Sequence, residues 1–497
     1  MMLPLLDMQG VRAIPVRSPA HLALRSRMQG PQRHRLLHGF PLAAAVPRVS
    51  HRTGGEANRL RFDPARGLLV GVLPHPFCNP TVSGCGFCTF PHERFNARRA
   101  AHVIDHVISE LEIKLRADPH LRGRSVSGLY FGGGTANLSP VLPFRKLCRA
   151  LADSFDLSEC EVTLEGVPAA FLRQEPRLID VLGEEIPARH YRLSMGMQTF
   201  DERTLSRMGR LGFGTEATFA RVAELGHDRG FTVSGDLLFN LPGQDLLDMT
   251  EDLKKAVAIG LDHIGLYHLV MFRGLGTEWS RDPVLLASLP RNHEASDNWL
   301  ALRGFLLSRG FHQTTLTNFE REQYRGDPRR FIYEEMSFRP DRFDMLGLGP
   351  SGISYCGGDQ RALKAINPDG SAEYLGRVES GEATWNREFL YSPQDARILY
   401  LTRRLSGLEI DRRAYQGLFG ADPIEDFREH FEAFEAEGLV DVTPLEVRPT
   451  PLGVFYADSM AGILARDRFR DEPAMDQPSV AHAGDRVSRN DNSHGHM

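Results

Sequence analysis

The chain has 497 residues, a net charge of −5 and 41% hydrophobic residues. At roughly 100–200 residues per domain, that length suggests two or three domains. The charge offers no basic field for nucleic acid, no apolar run approaches the roughly 18 residues of a membrane span, and six cysteines without a tripartite signal peptide point to a reducing, cytoplasmic compartment.

The first sixty residues hold nine arginines, among them Arg25, Arg27 and Arg48, but only Asp7 and Glu56 as acids. Prolines there are expected to interrupt any helix. Residues 1–62 read as an Arg-rich arm, with a targeting presequence and an overlong gene start as the other readings.

An apolar run, Gly67 to Leu73, predicts the first buried strand. It leads into Cys78-Asn-Pro-Thr-Val-Ser-Gly-Cys85-Gly-Phe87-Cys88, an irregular loop that holds three of the six cysteines. Thiolates suit iron or zinc. Structural zinc takes four ligands, and no fourth cysteine or histidine pair has the spacing for it. A cubane iron–sulfur cluster on three cysteines leaves one iron open. The plain alternative is three core thiols, or a disulfide plus one.

A helix follows from about Ala100, with Val103, Ile104, Val107, Ile108 and Leu111 on one face. Next come a strand Gly128–Phe131, a turn Gly132-Gly133-Gly134-Thr135, and a helix through Leu142, Leu147, Leu151 and Phe155. Further strands are expected at Glu161–Glu165, Arg192–Gln198, Thr232–Phe239 and His263–Met271. Strands alternating with helices imply parallel βαβ units. Six units make an α/β fold with a partial or full barrel spanning 63–290. The cysteines, the Gly132–Thr135 turn, Glu165, Gln198 and Asp236 all fall on or just after strands, and in such folds the carboxyl ends carry the site.

Residues 291–391 read as a region covering the barrel, helical near 290–312 and with a Gly-rich turn from Gly347 to Gly352. Residues 392–465 suggest two helices and a small wing, a winged-helix-like α+β module. Its helix carries Glu425, Asp426, Glu429, Glu432, Glu435 and Glu437, so packing or substrate covering is expected there, not DNA reading. The polar tail 466–497, with His494 and His496, is expected to be disordered.

Cys85-Gly-Phe87-Cys88, Tyr130-Phe-Gly-Gly-Gly-Thr135, Arg192 to Asp201, Asp236 to Gln244 and Leu346-Gly-Leu-Gly349 together resemble the ordered motifs of the oxygen-independent coproporphyrinogen III oxidase group of radical S-adenosylmethionine (SAM) enzymes. That group includes a heme chaperone and radical SAM methyltransferases. Leu316 to Glu320 and Tyr374 to Gly381 resemble the chaperone branch more closely. The likeness covers about 65–460.

The resemblance implies a (βα)6 radical SAM barrel with a [4Fe–4S] cluster on Cys78, Cys85 and Cys88, and SAM on its open iron. It places Phe87 beside the adenine, Gly132, Gly133, Gly134 and Thr135 at the methionine amino end, and Glu165 on the ribose. Gln198, Arg210 and Asp236 take further SAM contacts. It implies a small organic substrate, tetrapyrroles included, and a one-electron donor such as flavodoxin or ferredoxin. Three departures stand out. Pro80 to Gly84 contains a three-residue insertion, Val72 and Pro74 replace a Tyr and a His of the oxidase, and Phe90 replaces its fourth cysteine. The expected reaction is therefore C–H functionalisation, with methyl transfer as a subclass and His92 or Glu93 as proton acceptor. The alternatives are coproporphyrinogen dehydrogenation and non-enzymatic heme delivery.

Overall fold

The computed structural model describes residues 18–32, 40–49, 60–173, 175–358, 362–381 and 383–466. The tail expected to be disordered, including His494 and His496, lies outside them, as does most of the arm.

Six strands alternate with helices as the hydrophobic pattern predicts. They are β1 (Gly67–Val72), β2 (Gly128–Phe131), β3 (Glu161–Gly166), β4 (His190–Gln198), β5 (Thr232–Phe239) and β6 (His263–His268). Between them run α2 (Ala97–Ala117), α3 (Val141–Ser154), α4 (Leu178–Glu185), α5 (Glu216–His227) and α6 (Leu246–Ala258). An earlier helix, α1 (Pro19–Met28), belongs to the arm. The strands pair in parallel, each with the next. This is the six-unit parallel βαβ sheet expected of the chain. Burial of Val103, Ile104, Val107 and Leu111 seats α2 on the sheet. Leu142 departs from expectation: it is 71% exposed, whereas Leu147, Leu151 and, at the C-cap of α3, Phe155 are buried.

The sheet continues on both sides. After α7 (Asn292–Ser308), β8 (Asn318–Arg321) adds antiparallel to β6, and β7 (Phe311–Gln313) adds antiparallel to β8. On the other side, β9 (Phe343–Leu348) lies parallel to β1 and is followed by antiparallel β10 (Ile353–Cys356), β11 (Leu363–Ile366) and β12 (Arg387–Leu390). The order is β12-β11-β10-β9-β1-β2-β3-β4-β5-β6-β8-β7. Gly347 and Leu348, expected in a turn, therefore end a strand. The turn begins at Gly349, whose φ is +87°.

A short helix, α8 (Ile332–Ser337), enters the barrel from its base. Glycines make room for it. A Cβ on Gly71 would lie 2.7 Å from Tyr333 Oη, and one on Gly128 would lie 3.0 Å from Tyr333 Cα. The buried Glu161 carboxylate accepts from the backbone N–H groups of Ile332 and Tyr333, which caps the free donors at the start of α8. Arg192 stacks 3.6 Å over Phe331 and donates to His263 Nδ1 at 3.0 Å. The barrel floor is thus polar and partly paired: Arg192 Nε and His263 Nε2 are buried without a partner among the described residues.

The C-terminal part comprises α9 (Ser371–Ser380), α10 (Pro393–Ser406), α11 (Arg412–Phe419), α12 (Arg428–Ala436), α13 (Pro451–Phe455) and α14 (Ala457–Arg466). A small antiparallel sheet joins Ile410–Asp411, Glu446–Pro449 and Val440–Val442. Its contacts with the barrel run through Trp299 Nε1, which donates to the Pro451 carbonyl, and through Phe455, 5.3 Å from His268. Prolines do not prevent a helix in the arm. Pro19 opens α1, where the fixed φ of proline suits a first turn and its missing N–H costs nothing. The basic α1 meets the acidic α12: Arg25 and His21 both bind Glu437, and Arg27 binds Asp458.

Candidate active site at the strand ends

The cysteine loop leaves β1 and returns on itself. Glu93 N donates to Pro76 O and Phe95 N to Cys78 O, each at 3.0 Å, so the two ends of the loop run side by side. Between them, Gly84, Cys85 and Gly86 adopt φ of 55°, 51° and 82°. Left-handed backbone is rare for a residue with a side chain, so Cys85 is held there by its surroundings. Gly86 packs under Trp279, whose Nε1 would lie 2.2 Å from an added Cβ, and the Trp279 ring lies 6.0 Å from that of Phe87. The inserted residues do not simply bulge outward. Thr81 N donates to Gly209 O at 3.3 Å, and a Cβ on Gly209 would sit 2.4 Å from Val82 N.

Each sulfur has a donor from a different place. Thr135 Oγ1 donates to Cys78 Sγ at 3.0 Å, Arg210 Nη1 to Cys85 Sγ at 3.1 Å, and Phe90 N to Cys88 Sγ at 3.4 Å. Burial pushes the Cys78 thiol up, and the Thr135 bond pulls it back. Burial also pushes Cys85 up, and Arg210 opposes it. Among the described residues, the group of three donors that converges within 4.8 Å is not the thiols. A single tetrahedral ion with ligand bonds of about 2.3 Å needs tighter convergence, whereas a multi-iron cluster spreads its thiolates.

Strand alternation builds the rest. Register pairs Tyr130 with Thr163, Glu165 with Ser194, Gly196 with Asp236, and Asp236 with Gly265. Paired residues point to one face, the face of Gly71 that meets Tyr333, so all of these turn inward. Glu165 accepts from Tyr130 Oη at 3.1 Å. The Tyr130 phenol is pushed well up by burial and then by the nearby Glu165 and Asp236 carboxylates, and Tyr267 by burial, Asp236 and Glu334. Glu165 and Asp236 therefore share one patch with two tyrosines, and the tyrosines went unnoticed in the sequence. Period-two alternation in β2 and β6 is the signal that marks them. A Cβ on Gly265 would lie 2.3 Å from Asp236 Oδ1.

The glycine turn is needed for close approach. A Cβ on Gly134 would lie 2.8 Å from the Phe77 carbonyl oxygen, and one on Gly132 would lie 2.9 Å from Glu165 Oε2. Gly133 has φ of 111°. Gln198, at φ 75°, follows an irregularity in β4, and Arg210 Nη2 donates to Gly196 O. Arg210 Nε is buried without a partner among the described residues. An open guanidinium donor beside a thiol, glycines that keep a cradle clear, and inward carboxylates fit a cluster with an amino-acid-bearing nucleoside.

His92 stays with the loop. Its Nδ1 lies 2.9 Å from Phe90 O, and its Cε1 would be 3.1 Å from a Cβ on Gly84. Glu93 does not join the site. Its carboxylate takes the Ser371 N–H at 2.7 Å, the Ser371 hydroxyl at 3.0 Å, and Arg99. Burial raises its pKa, but these donors outweigh that and hold it below the usual range. The expected proton acceptor is instead a clamp between the loop and α9. Val72 also differs from a rim residue. It pairs with Phe131, which packs on Phe144 of α3, so it faces the helices.

No family model matches the chain. It is 34% identical over 234 residues to an anaerobilin synthase of Escherichia coli O157:H7, covering 46% of this chain and 50% of that protein. It is 26% identical over 410 residues to the oxygen-independent coproporphyrinogen III oxidase of Paracoccus denitrificans, covering 79% and 81%. It is 27% identical over 200 residues to the heme chaperone HemW of Haemophilus influenzae, covering 39% and 49%. The match thus spans about half the length of the first and third relatives. Coproporphyrinogen III oxidase (HemN) from Escherichia coli, described as a radical SAM enzyme, superposes with a TM-score of 0.69 at 21% identity, over 86% of this chain and 96% of that one. The two share a fold. Among the described residues, no helix is long and apolar enough to cross a membrane.

Proposed function

We propose, from the premise that the chain belongs to the coproporphyrinogen III oxidase-like group of radical SAM enzymes, that it functionalises a C–H bond of a tetrapyrrole-class substrate. The observation that supports this reading is that three separately hydrogen-bonded thiols lie on the loop after β1 while the inward carboxylates Glu165 and Asp236 lie on β3 and β5 of the same parallel sheet. Cys78, Cys85 and Cys88 would hold a [4Fe–4S] cluster. The Gly132–Thr135 turn, Glu165, Gln198, Arg210, Asp236 and Phe87 would hold SAM. Once bound and reduced by a one-electron donor such as flavodoxin or ferredoxin, these groups would supply 5′-deoxyadenosyl radical chemistry. The residues of this chain do the rest. Arg210 offers a planar charged fork to a carboxylate, Glu165 accepts from hydroxyls, and Trp279 over Phe87 limits water.

The relatives' names carry coproporphyrinogen and heme, which supports a tetrapyrrole-class substrate. Phe90 in place of the oxidase's fourth cysteine, and Val72 turned to the helices, leave no such groups to handle the electrons and protons of a double decarboxylation. That favours methyl transfer or a related C–H step, with His92 as the proton acceptor nearest the loop. The chaperone-like stretches support heme delivery less. Tyr374 donates to the buried Glu110, and Asn318 to Glu334, so both serve packing.

The test uses anaerobically reconstituted, reduced protein with SAM and either coproporphyrinogen III or heme. Substrate-dependent 5′-deoxyadenosine is expected, with S-adenosylhomocysteine if methyl is transferred. Clean conversion of coproporphyrinogen to protoporphyrinogen would establish the dehydrogenase, and stoichiometric heme uptake without SAM cleavage would establish the chaperone.

A further inference from the structure

His102 and His106 stand one turn apart on α2, and Glu379 reaches toward them from the last turn of α9. One ligand atom from each lies within 4.8 Å of the other two. The imidazole rings meet nearly edge to face, 4.4 Å between centroids. His102 and Glu379 are exposed and His106 is half-buried.

His106 is the informative member. Its Nδ1 lies 2.9 Å from the backbone carbonyl of His102, and its Nε2 lies 3.2 Å from Glu379 Oε1. Both ring nitrogens therefore face oxygen acceptors. A neutral imidazole has one N–H. If Nδ1–H donates to the carbonyl, Nε2 turns a lone pair toward the Glu379 carboxylate, the arrangement of two ligands facing one cation. An Nδ1–H given to a backbone carbonyl is also the arrangement that orients Nε2 of a metal-ligating histidine.

We infer that His102, His106 and Glu379 form a surface site for a divalent transition metal of the zinc class, joining α2 to α9. Two imidazoles and one carboxylate suit zinc, with water in the fourth position. Calcium and magnesium prefer all-oxygen shells. The site lies on the outer helices, outside the cysteine loop and the barrel mouth, so an ion enters without opening either.

The position gives it a consequence for the active site. At its other end, α9 begins with Ser371, whose N–H and hydroxyl hold Glu93, five residues beyond Cys88. A metal that fixes the C-terminal turn of α9 against α2 also steadies the helix that grips the exit of the cysteine loop.

The test titrates full-length, cluster-loaded protein with zinc chloride by calorimetry and follows its Tm. One equivalent should bind and raise the Tm, with cluster iron unchanged. His102→Ala and His106→Ala should each weaken binding at least about tenfold, since even the loss of outer partners costs ten- to hundredfold. Glu379→His should tighten it, and His494→Ala/His496→Ala in the tail should leave it intact. The site is refuted if the unaltered protein binds no zinc, or if both histidine variants bind as the unaltered protein does.

Discussion

Arg210 reaches Cys85 Sγ with Nη1 at 3.1 Å while its Nη2 holds the Gly196 carbonyl. One guanidinium thus ties the middle thiol of the loop to the end of β4. It does so at the residue whose backbone is left-handed, so position and charge are controlled together.

Thiolate is the metal-binding form. Burial keeps the Cys85 proton on, and Arg210 eases it off. Without that cation the thiol should retain its proton to higher pH. Arg210→Ala is therefore expected to move cluster assembly to more alkaline conditions. Iron content and visible absorbance after anaerobic reconstitution across a pH series measure this, and an unshifted midpoint would remove the electrostatic role.

Glu165→Gln and Asp236→Asn should weaken SAM binding and leave the iron in place. Losing a charge-assisted hydrogen bond costs about 1.5–3 kcal/mol, roughly ten- to hundredfold in affinity. Equilibrium binding to the reconstituted variants reads it directly. Full affinity in both would mean that the inward carboxylates serve the barrel and not the ligand.

The packing of α8 in the barrel predicts a coupled pair. Gly71→Ala places a methyl 2.7 Å from Tyr333 Oη, and overpacking of this kind costs about 1–3 kcal/mol. Removing the hydroxyl with Tyr333→Phe should recover part of the loss. Denaturant unfolding of the two single variants and the double variant gives the coupling, and strict additivity would place the ring elsewhere.

Glu320 is buried and accepts from Phe331 N, and burial raises its pKa to about 8. In the unfolded chain a glutamate titrates near 4.3. The folded protein therefore binds the extra proton between those values, and stability falls as pH rises through that window. Below it, Glu320→Gln should match the unaltered protein. The variant should become relatively more stable up to about pH 8 and then hold a constant advantage. Tm against pH for both proteins checks this, and a flat difference would deny the shift.

The six barrel strands, their chain order and the site loop were legible because their signals are local. Apolar runs such as Gly67–Leu73, Gly and Pro punctuation, and the close spacing of Cys78, Cys85 and Cys88 all act within a few residues. The same locality placed Gly132–Thr135, Glu165 and Asp236 on or just after strands. It failed where the outcome depends on a distant partner. Glu93 looks like a base beside a metal loop until Ser371, far along the chain, takes its oxygens. Gly347 reads as a turn until β1 offers it a parallel neighbour.

By itself, then, the sequence determined an α/β chain with strands, helices and a three-thiol loop in a set order, since backbone preferences and side-chain period need no long-range information. Only the tertiary structure decided which way those residues face. Tyr130 and Tyr267 turn inward because register fixes them beside Glu165 and Asp236, α8 fills a barrel that Gly71 and Gly128 leave open, and α1 docks on Glu437 because two opposite charges far apart in sequence end side by side. Pairing across hundreds of residues is a property of the packed chain, and no local pattern encodes it.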